Sequence, residues 1–176
     1  FCRVLKTDQE HRSAVALMAD SFYRKHPLWK LLPPDPKDAE VMFMYRVKQA
    51  AQDDLAWGFF VDEQLIAVAL FYPLKSYLKQ SHQKAQTQIV LAAGTYVREI
   101  DEGVIRAADP TKNTFYSDYF AVRPESVAQG YGMEAYVQAF EMVRNREDID
   151  DVFMRQSNPI NKHIAEAMGF RLVKEL

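Results

Sequence analysis

A chain of 176 residues is long enough to bury a core without disulfide or metal staples, and 48% apolar with 26% charged residues is an ordinary globular composition. The formal net charge of −2 gives no pull toward nucleic acid or an anionic membrane. The single cysteine, Cys2, excludes an internal disulfide, and no apolar run approaches the ~20 residues of a membrane span, so one domain in a reducing, cytoplasmic setting is expected.

In chain order, residues 2–5 alternate weakly and predict a short strand. Asp8 is the expected N-cap of a helix to about Tyr23, with Val15, Met18, Ala19 and Phe22 at helical spacing. His26-Pro27 ends it, and Leu31 to Pro36 is a stiff loop. A second helix is predicted from about Lys37 to Asp53, with Val41, Met44, Tyr45 and Lys48 along one face. The runs 55–61 and 65–72 are rich in Val, Ile, Phe and Trp and flank Asp62-Glu63-Gln64, which predicts a β-hairpin closed by Pro73.

Residues 74–109 read as helix, broken near Gly94 or Gly103. A strand is predicted over 115–122, a turn over 123–129, a helix over 131–144 and a short strand over 152–155. A helix over 161–168 is closed by Gly169 as its C′ residue, and a last strand starts at Phe170. Helices between strands give an α/β or α+β class around one sheet.

The chemistry centres on residues 127–132. A strand there feeds a helix through Gly130-Tyr131-Gly132. The first N–H groups of a helix have no internal partner, and together with the helix dipole they hold phosphate oxygens. Glycines let the backbone approach closely. Taken alone, the turn fits an anion site and a tightly packed structural turn equally well.

Val122-Arg123-Pro124-Glu125 followed by Gly130-Tyr131-Gly132 resembles motif A of the GNAT N-acetyltransferases. In that family a strand ends in a Val-x-Pro-Glu-like stretch, and a Gln/Arg-x-x-Gly-x-Gly/Ala turn opens the next helix. Asn158, Gly169 and Phe170 resemble the same family's Asn-x-x-Ala-x-x-Leu-Tyr-x-x-x-Gly-Phe stretch at the right spacing. Ser21-Phe22, His26-Pro27-Leu28-Trp29 and Leu32-Pro33 resemble the helix-loop-helix of the puromycin-acetyltransferase-like branch. Two departures stand out. Val127 replaces the Gln/Arg of motif A, and Ala165 occupies the place of the Tyr that is the family's common general acid.

The resemblance implies a single GNAT domain over residues 1–176. Its fold is a mixed, mostly antiparallel central sheet flanked by helices, with a helical insert before the motif A strand. It also implies one more strand after the one starting at Phe170, which is either missing or supplied by another chain; an open sheet edge would favour a homodimer. The implied reaction is acetyl transfer from acetyl-CoA to a primary amine of a small molecule or peptide. Phe120, Ala121 and Val122 would pair with the pantetheine arm, as a strand pairs with a sheet edge. Val127, Ala128, Gln129, Gly130, Tyr131, Gly132 and Asn158 would contact the rest of the co-substrate. Asp118 is the first candidate base and Tyr116 the second, since both share a strand face with Phe120 and Val122. Phe22 and Trp29 would line the acceptor site. No metal is expected, because His11, His26, His82 and His163 have no ligand spacing to one another or to Cys2. Two other readings stand beside this one: a degenerate GNAT domain that binds acyl-CoA as a sensor or partner module, and an unrelated nucleotide-phosphate binder. The second of these lacks a Gly-Lys-Ser/Thr signature.

Overall fold

The computed structural model describes residues 1–31, 33–76, 102–104, 106–155 and 159–173. The chain separates into two compact units. One comprises Phe1–Tyr72 with Asp118–Asn145, the other Pro73–Ser117 with Arg146–Leu176. The strands among the described residues are β1 (Cys2–Val4), β2 (Ala56–Val61), β3 (Gln64–Pro73), β4 (Thr114–Val122) and β5 (Asp151–Met154). They hydrogen-bond in the order β1-β2-β3-β4-β5. The β1–β2 and β2–β3 pairs are antiparallel and β4–β5 is parallel, which is the expected mixed, mostly antiparallel sheet with helices around it.

In the first unit the leading helices are α1 (Asp8–Lys25), α2 (Pro27–Leu31) and α3 (Pro36–Gln52). Thr7, not the expected Asp8, caps α1. The Thr7 hydroxyl accepts from the Glu10 N–H at 3.2 Å, and the Glu10 carboxylate accepts from the Thr7 and Lys6 N–H groups at 2.9 and 2.8 Å. This reciprocal capping box satisfies more donors than Asp8 would alone, and it leaves Asp8 in the first turn, where its charge suits the dipole. Arg3 pairs with the same carboxylate. Burial raises the Glu10 carboxyl, but the Thr7 and Lys6 N–H bonds and the Arg3 guanidinium outweigh it and bring it down to about 2. A lowered carboxyl stabilises the fold above its unfolded value of 4.5, and that stability is lost as pH falls toward 2. Solvent screening limits it to about 1–2 kcal/mol. Glu10→Gln is therefore expected to lower the melting temperature at pH 7 and to match wild type near pH 2. A gap that persists at pH 2 in parallel thermal melts would assign the effect to shape rather than charge.

Asp35 caps α3 by accepting from the Lys37 N–H at 2.8 Å, with Pro36 in the first turn. The buried face of α3 is Ala39, Phe43, Val47 and Ala50. The expected stripe ran instead through Val41 and Tyr45, which are 70% and 52% exposed. Phe43 decides the rotation of the helix, because it meets Phe22, Trp29 and Tyr119 with ring centroids 5.3–5.7 Å apart.

The β2–β3 hairpin turns on Asp62 and Glu63, both at positive φ (46° and 60°). That is the backbone of a two-residue turn matching the strand twist. Gly58 in β2 is required by packing. A Cβ there would lie 2.6 Å from Leu5, 2.7 Å from Leu65 and 2.8 Å from Phe60, all of them buried. Gly58→Ala is expected to cost about 1–3 kcal/mol by overpacking, read as a lower midpoint in urea. An unchanged midpoint would mean that the three side chains repack freely.

After β4 a 3-10 helix spans Pro124–Gln129, and α4 spans Tyr131–Arg144, the range the periodicity predicts. Its buried positions are Ala135, Tyr136, Ala139, Phe140 and Val143. Phe140 packs against Phe71 of β3.

In the second unit the parallel ladder runs from Thr114↔Asp151 to Ser117↔Met154. Asn113 and Asp150 exchange backbone and carboxylate bonds just before it, at 2.7 and 3.0 Å. Helix α5 spans Pro159–Ala167. Gly169, at φ 90°, closes it, and the Phe170 N–H donates to the Ala165 carbonyl at 3.0 Å. Residues 170–173 are not strand, in contrast to the expected start of a last strand there. Of the expected insert, residues 74–76, 102–104 and 106–107 are helical, while the span holding Gly94 and His82 lies outside the described residues.

Candidate co-substrate turn and acceptor face

The end of β4 is fixed to the start of β3. The Arg123 N–H donates to the Ile66 carbonyl at 2.7 Å, and the Arg123 guanidinium donates to the Leu65 carbonyl at 3.0 and 3.2 Å. Phe120 meets Tyr136 of α4 edge to face at 5.0 Å. Phe120, Val122 and Tyr131 pack around Phe59, Ile66, Ala67 and Ala135. Ala121, on the opposite face, is 2% exposed. These contacts hold the strand and the helix at a set separation, which leaves ordinary van der Waals room for a Cβ at Gly132. A Cβ at Gly132 would touch Val122 at 3.4 Å.

Between strand and helix, Gly130 ends the 3-10 helix and starts α4 in the left-handed region, at φ 80° and ψ −11°. The Met133 and Glu134 N–H groups reach the Gly130 carbonyl at 3.1 and 3.3 Å. No side chain caps this end of α4. The Met133 N–H is taken up by the Gly130 carbonyl, which leaves the Tyr131 and Gly132 N–H groups as the first-turn donors for an anion from outside the helix. Gln129 and Gly130 are exposed, and Val127 is 47% exposed. The side chain of Ala128 and the whole of Asn158 lie outside the described residues.

A shallow, open depression runs from this turn along one face of α4, lined by Gln129, Gly130, Tyr131, Met133, Glu134, Val137 and Gln138. The first three of these residues were legible in the sequence. The last four were not, although their spacing past Gly130 places them on the same helix face.

The two base candidates separate. Asp118 is half-buried in the first unit, and one carboxylate oxygen has no accessible surface. Burial, and after it the Asp118 charge, hold the Tyr72 phenol well above its ordinary value, so the carboxylate sits within electrostatic reach of Tyr72. The Tyr72 hydroxyl donates to the Arg46 carbonyl at 2.9 Å. Tyr116 belongs to the second unit and is 0% exposed, the position of a core residue. In that unit Ala165 is also buried. His163 is 92% exposed in its side chain and stands 3.5 Å from Glu166.

Phe22 and Trp29, expected along the acceptor site, belong to one aromatic cluster. Phe22 stacks on His26 at 5.1 Å with an interplanar angle of 7°, and it meets Trp29 at 5.3 Å and Tyr119 at 5.7 Å. Phe43 is fully buried at the centre, and the other four rings are half-buried. Sequence reasoning missed Tyr119, Phe43 and His26 as members of this group. Tyr119 alternates with Asp118 on β4, and that period-2 alternation was its only signal. Among the described residues there is no group of three or more His, Cys, Asp or Glu that could hold a metal, and no helix long and apolar enough to cross a membrane.

No protein-family profile matches the sequence, and no curated protein matches it. Solved structures do. A mosquito arylalkylamine N-acetyltransferase like 5b aligns over 100% of this chain and 85% of its own, with a TM-score of 0.71 at 10% identity. The polyamine N-acetyltransferase of Drosophila melanogaster, which forms N-acetylagmatine, aligns over 99% and 84%, with a TM-score of 0.70 at 11% identity. The fold is that of the GNAT N-acetyltransferases. An aminoglycoside N-acetyltransferase in complex with CoA shares this GNAT fold over 100% of this chain and 90% of its own, with a TM-score of 0.56 at 14% identity. Identities this low carry the GNAT fold and leave the chemistry to the residues described above.

Proposed function

We propose that this chain is an acetyl-CoA-dependent N-acetyltransferase acting on a primary amine of a small molecule or peptide. The observation that carries the reading is the uncapped first turn of α4 behind Gly130, set at the end of β4 in a GNAT fold. In this reading the diphosphate of acetyl-CoA is held by the backbone of residues 127–132. The pantetheine arm pairs with the Phe120–Val122 backbone, as a strand pairs with a sheet edge. Phe22 and Trp29 line the acceptor side, and the assignment to the puromycin-acetyltransferase-like branch rests on the sequence resemblance of Ser21-Phe22, His26-Pro27-Leu28-Trp29 and Leu32-Pro33.

The chemistry is acyl transfer. The acceptor ammonium loses a proton to Asp118, directly or through water. The amine nitrogen then bonds to the thioester carbonyl carbon, the C–S bond breaks, and the CoA sulfur takes a proton. Ala165 supplies no acid for that last step, and a CoA thiol is a fair leaving group without one. The same Ala165, buried in α5, favours the second reading, a domain that binds acyl-CoA without turnover.

Thiol release from acetyl-CoA over a panel of amines tests this directly. A blank without acetyl-CoA subtracts any signal from the protein's own Cys2 thiol, which burial raises to about 11. Release above background with any amine supports the enzyme. No release with every amine, alongside saturable CoA binding, would establish the binding module.

A further inference from the structure

Six aromatic side chains gather in the first unit. Phe22, Tyr23 and His26 come from the end of α1, Trp29 from α2, Phe43 from α3 and Tyr119 from β4. Their ring centroids lie 5.1–5.7 Å apart along the contacts that join them. Of the six, Phe43 is fully buried, and the other five keep part of their surface exposed. The patch is fixed in place. The Tyr23 hydroxyl donates to the Pro34 carbonyl at 2.8 Å, and Trp29 meets both Phe22 and Tyr23 edge to face, at 63° and 68°. Rings held this way meet a further flat ring by stacking or edge contact without rearranging. The charged residues beside the patch are of both signs, Arg24, Lys25 and Lys30 with Asp20, Asp35 and Glu125, so ring surface is what it offers most. Tyr119 ties the patch to the chemistry. With the diphosphate at residues 127–132 and the arm paired along Phe120–Val122, the arm runs toward the start of β4. At about 3.3 Å per strand residue, its thioester arrives beside Tyr119. The attacking amine must come to that carbon, and Tyr119 meets Phe22 and Phe43 at 5.7 Å.

We propose that this ring patch selects the acceptor, and that the amine it takes carries an aromatic ring on a short linker from the nitrogen, in preference to an aliphatic diamine. Trp29 and Tyr119 are its specificity-determining residues. This rests on the acyl-CoA reading above, which brings the thioester to Tyr119.

Calorimetric titration of phenethylamine, cyclohexylethylamine and putrescine into the full chain saturated with CoA tests it, alongside thiol release from acetyl-CoA with the same amines. Wild type is expected to bind phenethylamine ~10-fold or more tighter than putrescine. It is expected to bind it ~3-fold or more tighter than cyclohexylethylamine, which has the same carbons without the π face. Trp29→Leu lowers the phenethylamine affinity by ~5- to 10-fold and leaves putrescine and CoA within ~2-fold, and Trp29→Phe restores most of the loss. Equal affinity for the three amines in wild type overturns the proposal, a comparison that holds even where Trp29→Leu fails to fold. No saturable binding of any amine overturns it too, as does a Trp29→Leu loss shared equally by putrescine. CoA binding with the aryl preference but no thiol release overturns the enzyme reading and leaves the ring site standing. Absence of CoA binding overturns the acyl-CoA reading, and with it the placement of the thioester at Tyr119.

Discussion

Gly130→Asp is expected to weaken CoA binding by roughly 100-fold while the protein remains folded. The two effects separate because of how Gly130 sits. Its φ of 80° is a conformation that Asp adopts at modest cost, about 1 kcal/mol. A Cβ at Gly130 meets no atom within 4 Å, so nothing in the protein is displaced. What changes is the approach of a ligand. A carboxylate would stand at the mouth of the uncapped first turn of α4, where the diphosphate is proposed to bind, and it would also be free to cap those N–H groups itself. Gly130→Ala is the matched control. It adds a Cβ without the charge, at a somewhat larger backbone cost than Asp in the left-handed region, and is still expected to lose far less affinity. Titration gives the affinity, and thermal melts without ligand give the stability. An Asp variant that binds CoA like wild type would place the co-substrate elsewhere on the chain.

That turn was legible in the sequence because every part of it is local. Strand, Pro124, Gly130, Gly132 and the α4 periodicity lie within one short stretch, and left-handed backbone at a glycine is a property of the residue itself. The α2 and α3 region shows the opposite case. Val41 and Tyr45 form as good a helical stripe as Phe43 and Val47, and only the rings of Phe22, Trp29 and Tyr119 choose between them. The cap of α1 was misplaced by one residue for a related reason. Asp8 and Thr7 are both good caps, and the reciprocal bond from Glu10 breaks the tie. The candidate site divides along the same line. Its backbone half could be read from spacing. Its side-chain half, from Asp118 beside Tyr72 to the α4 face of Met133 and Val137, depends on which strands and helices meet. Tyr116 and Asp118 illustrate the limit of period-2 reasoning. They share a strand face, yet one is fully buried in the second unit and the other half-buried in the first.

Asp118→Asn carries the second large effect. If Asp118 accepts the ammonium proton, the change is expected to lower kcat by ~100-fold or more, the ordinary contribution of a positioned general base. Asn keeps the volume and most of the hydrogen-bonding capacity of Asp, so the position stays filled. The alternative is that Asp118 serves only to hold Tyr72 and its neighbours in place. Stability alone does not distinguish these, since the side chain is half-buried and one carboxylate oxygen is shielded from solvent. The pH profile does. A base must be unprotonated to act, so kcat/KM in wild type falls on the acid side as the carboxylate gains a proton, and that limb should vanish in Asp118→Asn. A structural carboxylate would instead lower the melting temperature and leave both kcat and the acid limb of the folded enzyme unchanged. Retention of kcat within ~3-fold, with the acid limb intact, would remove Asp118 from the mechanism and leave the proton to a chain of water.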